Sequence, residues 1–535
     1  MKKRRLLYLI LITIALAVYY LIIGINMAHA GYHNHESLFY VEKASIIFDG
    51  AGNRLKVIGL TSPIFPFYGM LPFYGLKSLG VSSALAPIIA SCIGTAILFL
   101  VIGICVIKTT NENFFVLMLI IMFVFHPGIL FTACSGKGIY LSLIFFFLFF
   151  YNIFRFYYSN TTFHISIASI ILVILVFCDY RFIWITLFFI PLIISIAIQS
   201  LNLSEKQSVF RLFMSFNNPS LRRKLMNKTF AMYVIIFILP IISIFCYKIL
   251  NQTHANDFNY FNDNPYATWD VLVDKLESSI TPVIDNYTIP EVSFLTSVRV
   301  LVFCPLILLG AYFFRSNTQH LITILIPFGL LEFFKIKYDN SFLSIEYYLI
   351  FLAMSFLTVV FKGHIISRRI GFKALISMLM VIQIYTGYYF LKNSFIESEK
   401  NFVTTITRSN ISEDSYDEYK DVASYINHLP HNSQVLVDDA NAYPVVSFVK
   451  DIHALTLPYQ SSFLSAIENP NKYVDYVLIT SFDNPVGGFT QLNYKYKAIM
   501  ENKNDIRLYP VYSSDNWVIL KVTTARNASS DYIDY

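Results

Sequence analysis

The sequence predicts a polytopic α-helical membrane protein of about 11 transmembrane helices, ending in a small extracytoplasmic α/β domain at the C-terminus. Three observations predict it. The 535 residues are 56% hydrophobic and 14% charged, whereas a soluble domain would carry about 25% charged residues. Apolar runs of spanning or near-spanning length recur along the first three quarters of the chain. Past about residue 395 the sequence turns polar and takes on alternating helix and strand periodicities.

The apolar runs lie at about 6–26, 85–107, 114–133, 139–156, 164–178, 183–200, 229–250, 296–314, 319–335, 344–361 and 370–391. The first follows MKKRR. Its roughly 21 apolar residues exceed the usual signal-peptide core of about 7–15, which favours a retained helix, although AHA at Ala28–Ala30 resembles a cleavage site. The run 164–178 is short and meets Asp179 and Arg181, so a tilted or protein-buried helix is expected there.

Charge sets the expected orientation. With Lys2, Lys3, Arg4 and Arg5 inside, the alternate loops hold Lys108, Arg155, Lys206, Arg211, Arg222, Arg223, Lys224, Arg315, Lys362, Arg368 and Arg369. Each inner loop is then basic, as the positive-inside rule requires. An odd number of spans puts the C-terminus outside, and a bacterial inner membrane is the expected location. The expected division is a transmembrane unit over 1–395, with outer loops at 31–84 and 251–296, and an outer unit over 396–535.

The outer loops begin with HNHESLFYVEKASIIFDG at His33–Gly50 and continue with SPIFPFYGMLPFYGLKSLG, where Pro63, Pro66 and Pro72 punctuate aromatics. Short helices at the interface suit that second stretch better than a span. In the C-terminal region DEYKDVASYINHL and LNYKYKAIMEN read as helices, SQVLVDD and YVDYVLITSF as strands, and RLYPVYSSDNWVILKV as a hairpin. The last residues, RNASSDYIDY, are expected to be disordered.

Several function classes are excluded or left without support. No GxGxxG or Walker sequence points to a nucleotide. The net charge of +6 comes without a long basic block, so nucleic acid is not an expected partner. Six cysteines all sit in or beside apolar runs with no CxxC pair, which speaks for small helix residues rather than a disulfide or zinc framework.

Glu36 is the leading candidate for chemistry. It lies about ten residues beyond the first span, on the outer face. A carboxylate partly desolvated near lipid can be tuned to act as a general base; a solvated loop acid is the plainer alternative. His33 and His35 suit a metal through imidazole, but the sequence shows no third and fourth ligand beside them. No cofactor is fixed, and a divalent cation is left open.

HESLFYVEKASIIFDG, followed by SPIFPFYGMLPFYGL, resembles the first outer loop of GT-C class membrane glycosyltransferases, the polyprenyl-phosphate-sugar-dependent superfamily that includes protein mannosyltransferases and aminoarabinose transferases. His35 and Glu36 stand where that class has paired acids, Phe39 and Tyr40 match its aromatics, Ala44 its alanine and Ser62–Pro63 its proline segment. HPGILFTACSGKGIYL is similar to the third and fourth helices of the class, with Lys137 where an acid is common. CDYRF at Cys178–Phe182 is similar to its Arg-Tyr-acid turn in altered order, NYFNDNPYATWD to its later outer segment, and Glu346 precedes Tyr347 where relatives often have arginine.

The resemblance implies a sugar donor on a polyprenyl phosphate, an acceptor that is a glycan, lipid or protein, and inverting transfer on the outer face with Glu36 as base. It also implies positive charge near the departing phosphate. Outer cations are Arg54, Lys56, Lys77, Lys137, Arg181, Arg299, Lys335 and Lys337. Lys137 and Arg181 rank first because each lies in a short turn between spans, where charge is expensive without a partner; Arg181 could instead simply pair with Asp179. His35, Lys77 and Lys335 complete the expected substrate-binding set. Lys335 and Lys337 equally suit snorkelling. Among outer acids, Asp49, Asp257, Asp263 and Asp270, Asp263 reads as a turn residue, and Tyr260, Tyr266 and Trp269 suit either a sugar platform or an aromatic belt. The rivals are a transporter or flippase of a lipid-linked solute and a non-catalytic assembly protein. The site expectation requires that Glu36 share one cavity with Arg181 or Lys137.

Overall fold

The computed structural model describes residues 2–50, 54–110, 112–159, 161–200, 219–271, 289–338, 344–394, 396–407, 414–481, 490–502 and 508–523. The first helices are α1 (Lys2–His29), α2 (His35–Phe48), α3 (Arg54–Leu60), α4 (Ile64–Tyr74), α5 (Ala86–Thr109), α6 (Asn113–Phe125), α7 (Pro127–Cys134), α8 (Ile139–Ser159) and α9 (Thr162–Cys178). Long apolar helices follow at Pro219–Ala255, Ile345–Ser367 and Ile370–Lys392. Together they make an integral, multi-pass membrane protein. The expected tail RNASSDYIDY lies outside the described residues.

By length and composition, seven helices among the described residues can cross a membrane, or up to nine when each bent pair counts as one span. The expected count was about eleven, and the difference has a local cause at each place. Helix α9 is only 17 residues long. Helix Thr318–Tyr338 carries Glu332, Lys335 and Lys337 at its end. The two bent pairs break at prolines: α6 and α7 meet at 63° before Pro127, and Thr296–Phe303 meets Leu306–Phe314 at 99° around Pro305. Proline lacks an N–H and pushes the preceding residue out of helical dihedrals, and His126 is extended, at φ −73°, ψ 118°.

Aromatic residues fill the bundle. Phe146, Phe147, Phe149 and Phe150 of α8 are all fully buried. Tyr20 of α1 is buried with them and donates its hydroxyl to the Phe123 carbonyl at 2.7 Å, so the first helix is tied to the core. Buried phenols of this kind need such a partner.

Beyond Asn393 the chain builds a five-stranded sheet: β1 (Val435–Leu436), β2 (Leu455–Thr456), β3 (Tyr476–Thr480), β4 (Leu508–Ser513) and β5 (Trp517–Val522), in the order β2-β1-β3-β5-β4. β1 pairs in parallel with β2 and β3, and β5 pairs antiparallel with β3 and β4. Side chains alternate across the sheet. Tyr476, Leu478, Trp517 and Ile519 face the helices 414–427 and Asp439–Val446, while Val477, Ile479, Val518 and Leu520 face the helices Phe463–Glu468 and Gln491–Asn502. The first of these cores also takes in Ile46 of α2. Helix α2 is thus wedged between bundle and sheet, and twelve of its fourteen residues are buried.

Candidate active site

The site begins where α1 stops. Gly31, at φ +86°, makes the left-handed turn that ends the helix. Three residues on, the Asn34 side chain caps α2 by accepting the Glu36 N–H at 3.0 Å. Glu36 therefore lies in the first turn of a capped helix, where backbone N–H groups and the helix dipole favour a carboxylate.

Its two oxygens are engaged differently. Oε1 accepts the Tyr40 hydroxyl, one turn further along α2, at 3.0 Å and the Gly138 N–H at 3.0 Å. Oε2 stands 3.9 Å from the Lys137 ammonium. Burial pushes the Glu36 carboxyl up to about 7; Lys137 opposes the rise, Glu346 adds to it, and the bonds from Gly138 and Tyr40 oppose it. A general base poised near neutral pH has this value.

Lys137 sits in the short turn between α7 and α8, behind Gly136 at φ +77°. Its ammonium donates to Glu346 Oε2 at 3.3 Å and lies 5.2 Å from the centre of the Trp269 ring. Glu346 and Glu36 together hold this buried lysine firmly protonated against the pull of burial.

Arg181 is held by two acids. Its Nε donates to Asp179 Oδ1 at 3.2 Å and its Nη2 to Asp270 Oδ2 at 2.7 Å. Asp179 is fixed in turn by the Arg181 N–H at 2.9 Å and the Tyr347 hydroxyl at 2.7 Å. The expected Asp179 pair is present, and Asp270 is added to it.

Glu36, Asp179, Arg181, Trp269, Asp270 and Glu346 line one cleft. Lys137 touches three of these residues. The cleft walls are α2, the start of α4, the start of α8, the turn after α9, the segment 261–270 and the start of helix Ile345–Ser367. A large aromatic face, one cation and a base near pKa 7 in one recess, with a second cation in contact with the base, can hold a sugar phosphate and remove a proton beside it.

Other expected site residues stand elsewhere. The His35 ring turns toward the C-terminal region, with Nδ1 3.1 Å from the Tyr443 hydroxyl. His33 is buried edge-on against Phe448 at 5.2 Å, and among the described residues no group of three or more His, Cys, Asp or Glu side chains is placed to hold a metal ion. Lys77 is exposed and pairs with Asp49 at 2.5 Å, near Tyr74. Lys335 donates to Thr296 at 2.6 Å, away from the cleft. Arg299 lies over Phe390 and Lys337 over Trp184. The side chains of Arg54 and Lys56 lie outside the described residues. Asp263, expected in a turn, ends the short helix Tyr260–Asp263 and accepts from Asn262, and the Tyr266 hydroxyl donates to Asp438 at 3.0 Å.

Sequence reasoning gave no role to Gly138, Tyr40, Asp438, Asp439 or Tyr443. Tyr40 has a local signal, since i and i+4 share a helix face. The two adjacent aspartates have another, following β1 directly at the carboxyl end of a strand in an α/β arrangement.

Among solved structures the chain is similar to ArnT from Cupriavidus metallidurans bound to undecaprenyl phosphate, at 12% identity over 96% of this chain and 98% of that one, with a TM-score of 0.41. It is also similar to the Archaeoglobus fulgidus oligosaccharyltransferase in complex with Zn and sulfate, at 12% identity over 86% and 67% of the two chains, TM-score 0.38. A third likeness is to the Archaeoglobus fulgidus oligosaccharyltransferase AglB in complex with an inhibitory peptide and a dolichol-phosphate, at 12% identity over 87% and 69%, TM-score 0.36. No protein-family model and no curated protein matches the chain.

Proposed function

We propose that the chain is a membrane glycosyltransferase that moves a sugar from a polyprenyl-phosphate donor to a hydroxyl of an envelope glycan, lipid or protein. The observation that carries this reading is the cleft itself: a buried carboxyl raised to about 7 shares it with Arg181 and stands 3.9 Å from Lys137. Glu36 removes the acceptor proton as the acceptor oxygen forms its bond to the anomeric carbon. The bond from that carbon to the phosphate oxygen breaks, and the phosphate leaves with the electron pair. Phosphate needs no protonation to leave; it needs cations in a site with little water. Arg181 and Lys137 supply them, Arg181 as a fork and Lys137 as a point charge. Attack from the face opposite the phosphate inverts the anomeric carbon.

In this reading residues 1–395 form the catalytic unit and 396–535 an outer α/β unit. The N-terminus is cytoplasmic, and the cleft opens to the extracytoplasmic side of a bacterial inner membrane. Glu36→Gln keeps the hydrogen-bond acceptor at Oε1 and removes the base. The expected result is a protein that stays monodisperse in detergent and loses about 10²–10⁴-fold in transfer. The donor for that assay comes from mass spectrometry of lipid-linked sugars in cells with and without the protein. Full activity in Glu36→Gln overturns the base assignment, and solute movement without a covalent product overturns the reaction.

A further inference from the structure

Helix α2 presents two adjacent rows to two different neighbours. Glu36 lines the cleft, and Tyr40, four residues on, donates to it from the same face. His35, Phe39 and Lys43, also spaced by four, face the helix Asp439–Val446 of the C-terminal region. His35 Nδ1 is 3.1 Å from the Tyr443 hydroxyl, the Phe39 ring is edge-on to Tyr443 at 5.5 Å, and Lys43 Nζ donates to Asp439 Oδ2 at 2.7 Å. Lys43 and Asp439 are both buried, with Glu42 3.2 Å from the same ammonium. The neighbouring residue Asp438 reaches the other wall. It caps its own helix by accepting the Ala440 N–H at 3.2 Å, and the same Oδ1 accepts the Tyr266 hydroxyl at 3.0 Å. Tyr266 lies three residues before Trp269 and four before Asp270, which line the cleft.

Two consecutive aspartates therefore hold opposite walls of one recess. We propose that Asp438, Asp439 and Tyr443 are positioning residues: they fix α2, and with it Glu36, against the segment that carries Trp269 and Asp270. Side chains on a rigid helix keep their geometry only if the helix cannot roll. A displacement of about 1 Å at a reacting group costs about 10²-fold. The C-terminal region thus sets the distance between the base and the wall that carries the aromatic platform and the acid on Arg181. The catalytic part of this inference rests on the reading of Glu36 as base; the mechanical part does not.

The test uses the full chain in detergent. Tyr443→Phe, Asp439→Asn and Asp438→Asn are followed by hydrogen–deuterium exchange, thermal melting and steady-state transfer. Tyr443→Phe and Asp439→Asn are expected to speed exchange over residues 35–48, and Asp438→Asn over residues 259–270, with exchange in α5 and α8 unchanged. Transfer is expected to fall about 10- to 100-fold in kcat, with the donor KM unchanged. Replacing all three buried charges by apolar groups, Glu42→Leu and Lys43→Met with Asp439→Leu, is expected to restore protection of α2. Should Asp439→Asn fail to fold, Tyr443→Phe, which removes one hydroxyl, carries the same expectation. Unchanged exchange in both segments overturns the proposal, as does a uniform rise along the whole chain, which marks general destabilisation. If Glu36→Gln remains active while the local exchange changes appear, the base assignment fails and the positioning of the two walls stands.

Discussion

Replacing Lys137 with Met and Glu346 with Gln is expected to move the acid limb of the pH–rate profile in opposite directions. Glu36 acts as a base only when ionised, so the limb in the parent protein lies near its value of about 7. Lys137 favours the ionised form and Glu346 disfavours it. Removing the lysine raises the limb; removing the acid lowers it and leaves the ammonium undivided for Glu36. At 3.9 Å and an effective dielectric of about 20, the attraction is about 4 kcal/mol, a ceiling of about three pKa units. Glu346, nearer to the ammonium at 3.3 Å, competes for it, so a rise of about one to two units is expected in Lys137→Met and a fall of about one in Glu346→Gln. A limb moved from about 7 to about 8 cuts the ionised fraction at pH 7 from about a half to about a tenth. That is a loss of about fivefold, recovered near pH 9.

The assay is kcat/KM from pH 5.5 to pH 9.5 with labelled donor. Weaker phosphate binding in Lys137→Met lowers every point but leaves the limb in place, so the limb position isolates the ionisation of Glu36. Shifts of the same sign in both variants, or no shift in either, refute the assignment of Glu36 as the titrating base.

Three further outcomes are expected. Arg181→Lys loses the planar fork that reaches Asp179 and Asp270, so donor KM is expected to rise about tenfold or more, measured by initial rates against donor concentration. Gly138→Ala puts a methyl group against the Pro66 ring, displacing the N–H that bonds Glu36; transfer is expected to fall at least about tenfold while gel filtration stays unchanged. The Asp438 carboxyl is raised to about 6, by burial first and by Asp439 beside it. A raised carboxyl contributes stability that is full below its unfolded value of about 3.9 and lost as pH rises through about 6. The melting temperature is therefore expected to drop across that window by the equivalent of about 3 kcal/mol more in the parent than in Asp438→Asn.

Local pattern made the membrane part legible. Every apolar run of the sequence carries helix, because a long apolar stretch in lipid has few other ways to satisfy its backbone. The span count was less legible, since length and end charges decide it at α9 and at Thr318–Tyr338, and prolines bend two further runs. The position of Glu36 was readable from its place beyond the first span. Its partners were legible only in part: Tyr40 shares its helix face and Lys137 was expected near it, but the contacts themselves were not. Gly138 lies 102 residues away, Lys137 and Glu346 are 209 apart, and Lys43 and Asp439 are 396 apart. No spacing rule connects residues at such separations; packing alone brings them together. His35 shows the converse. It neighbours Glu36 in sequence, but the helical turn of about 100° per residue sends it to another face, onto Tyr443.

Arg181 in the cleft is already paired, and that pairing bears on how a phosphate would enter. A half-buried guanidinium without a partner is costly, and Asp179 and Asp270 offset that cost. The two acids are not equivalent. Asp179 is fixed by the Arg181 N–H, the Arg181 Nε and the Tyr347 hydroxyl, whereas Asp270 is the more exposed of the two and meets the far end of the fork. In the proposed reaction the donor phosphate takes the place of Asp270 on Arg181. One anion replaces another, so the charge around the fork stays nearly constant and the guanidinium does not have to reorganise when the bond to the sugar breaks.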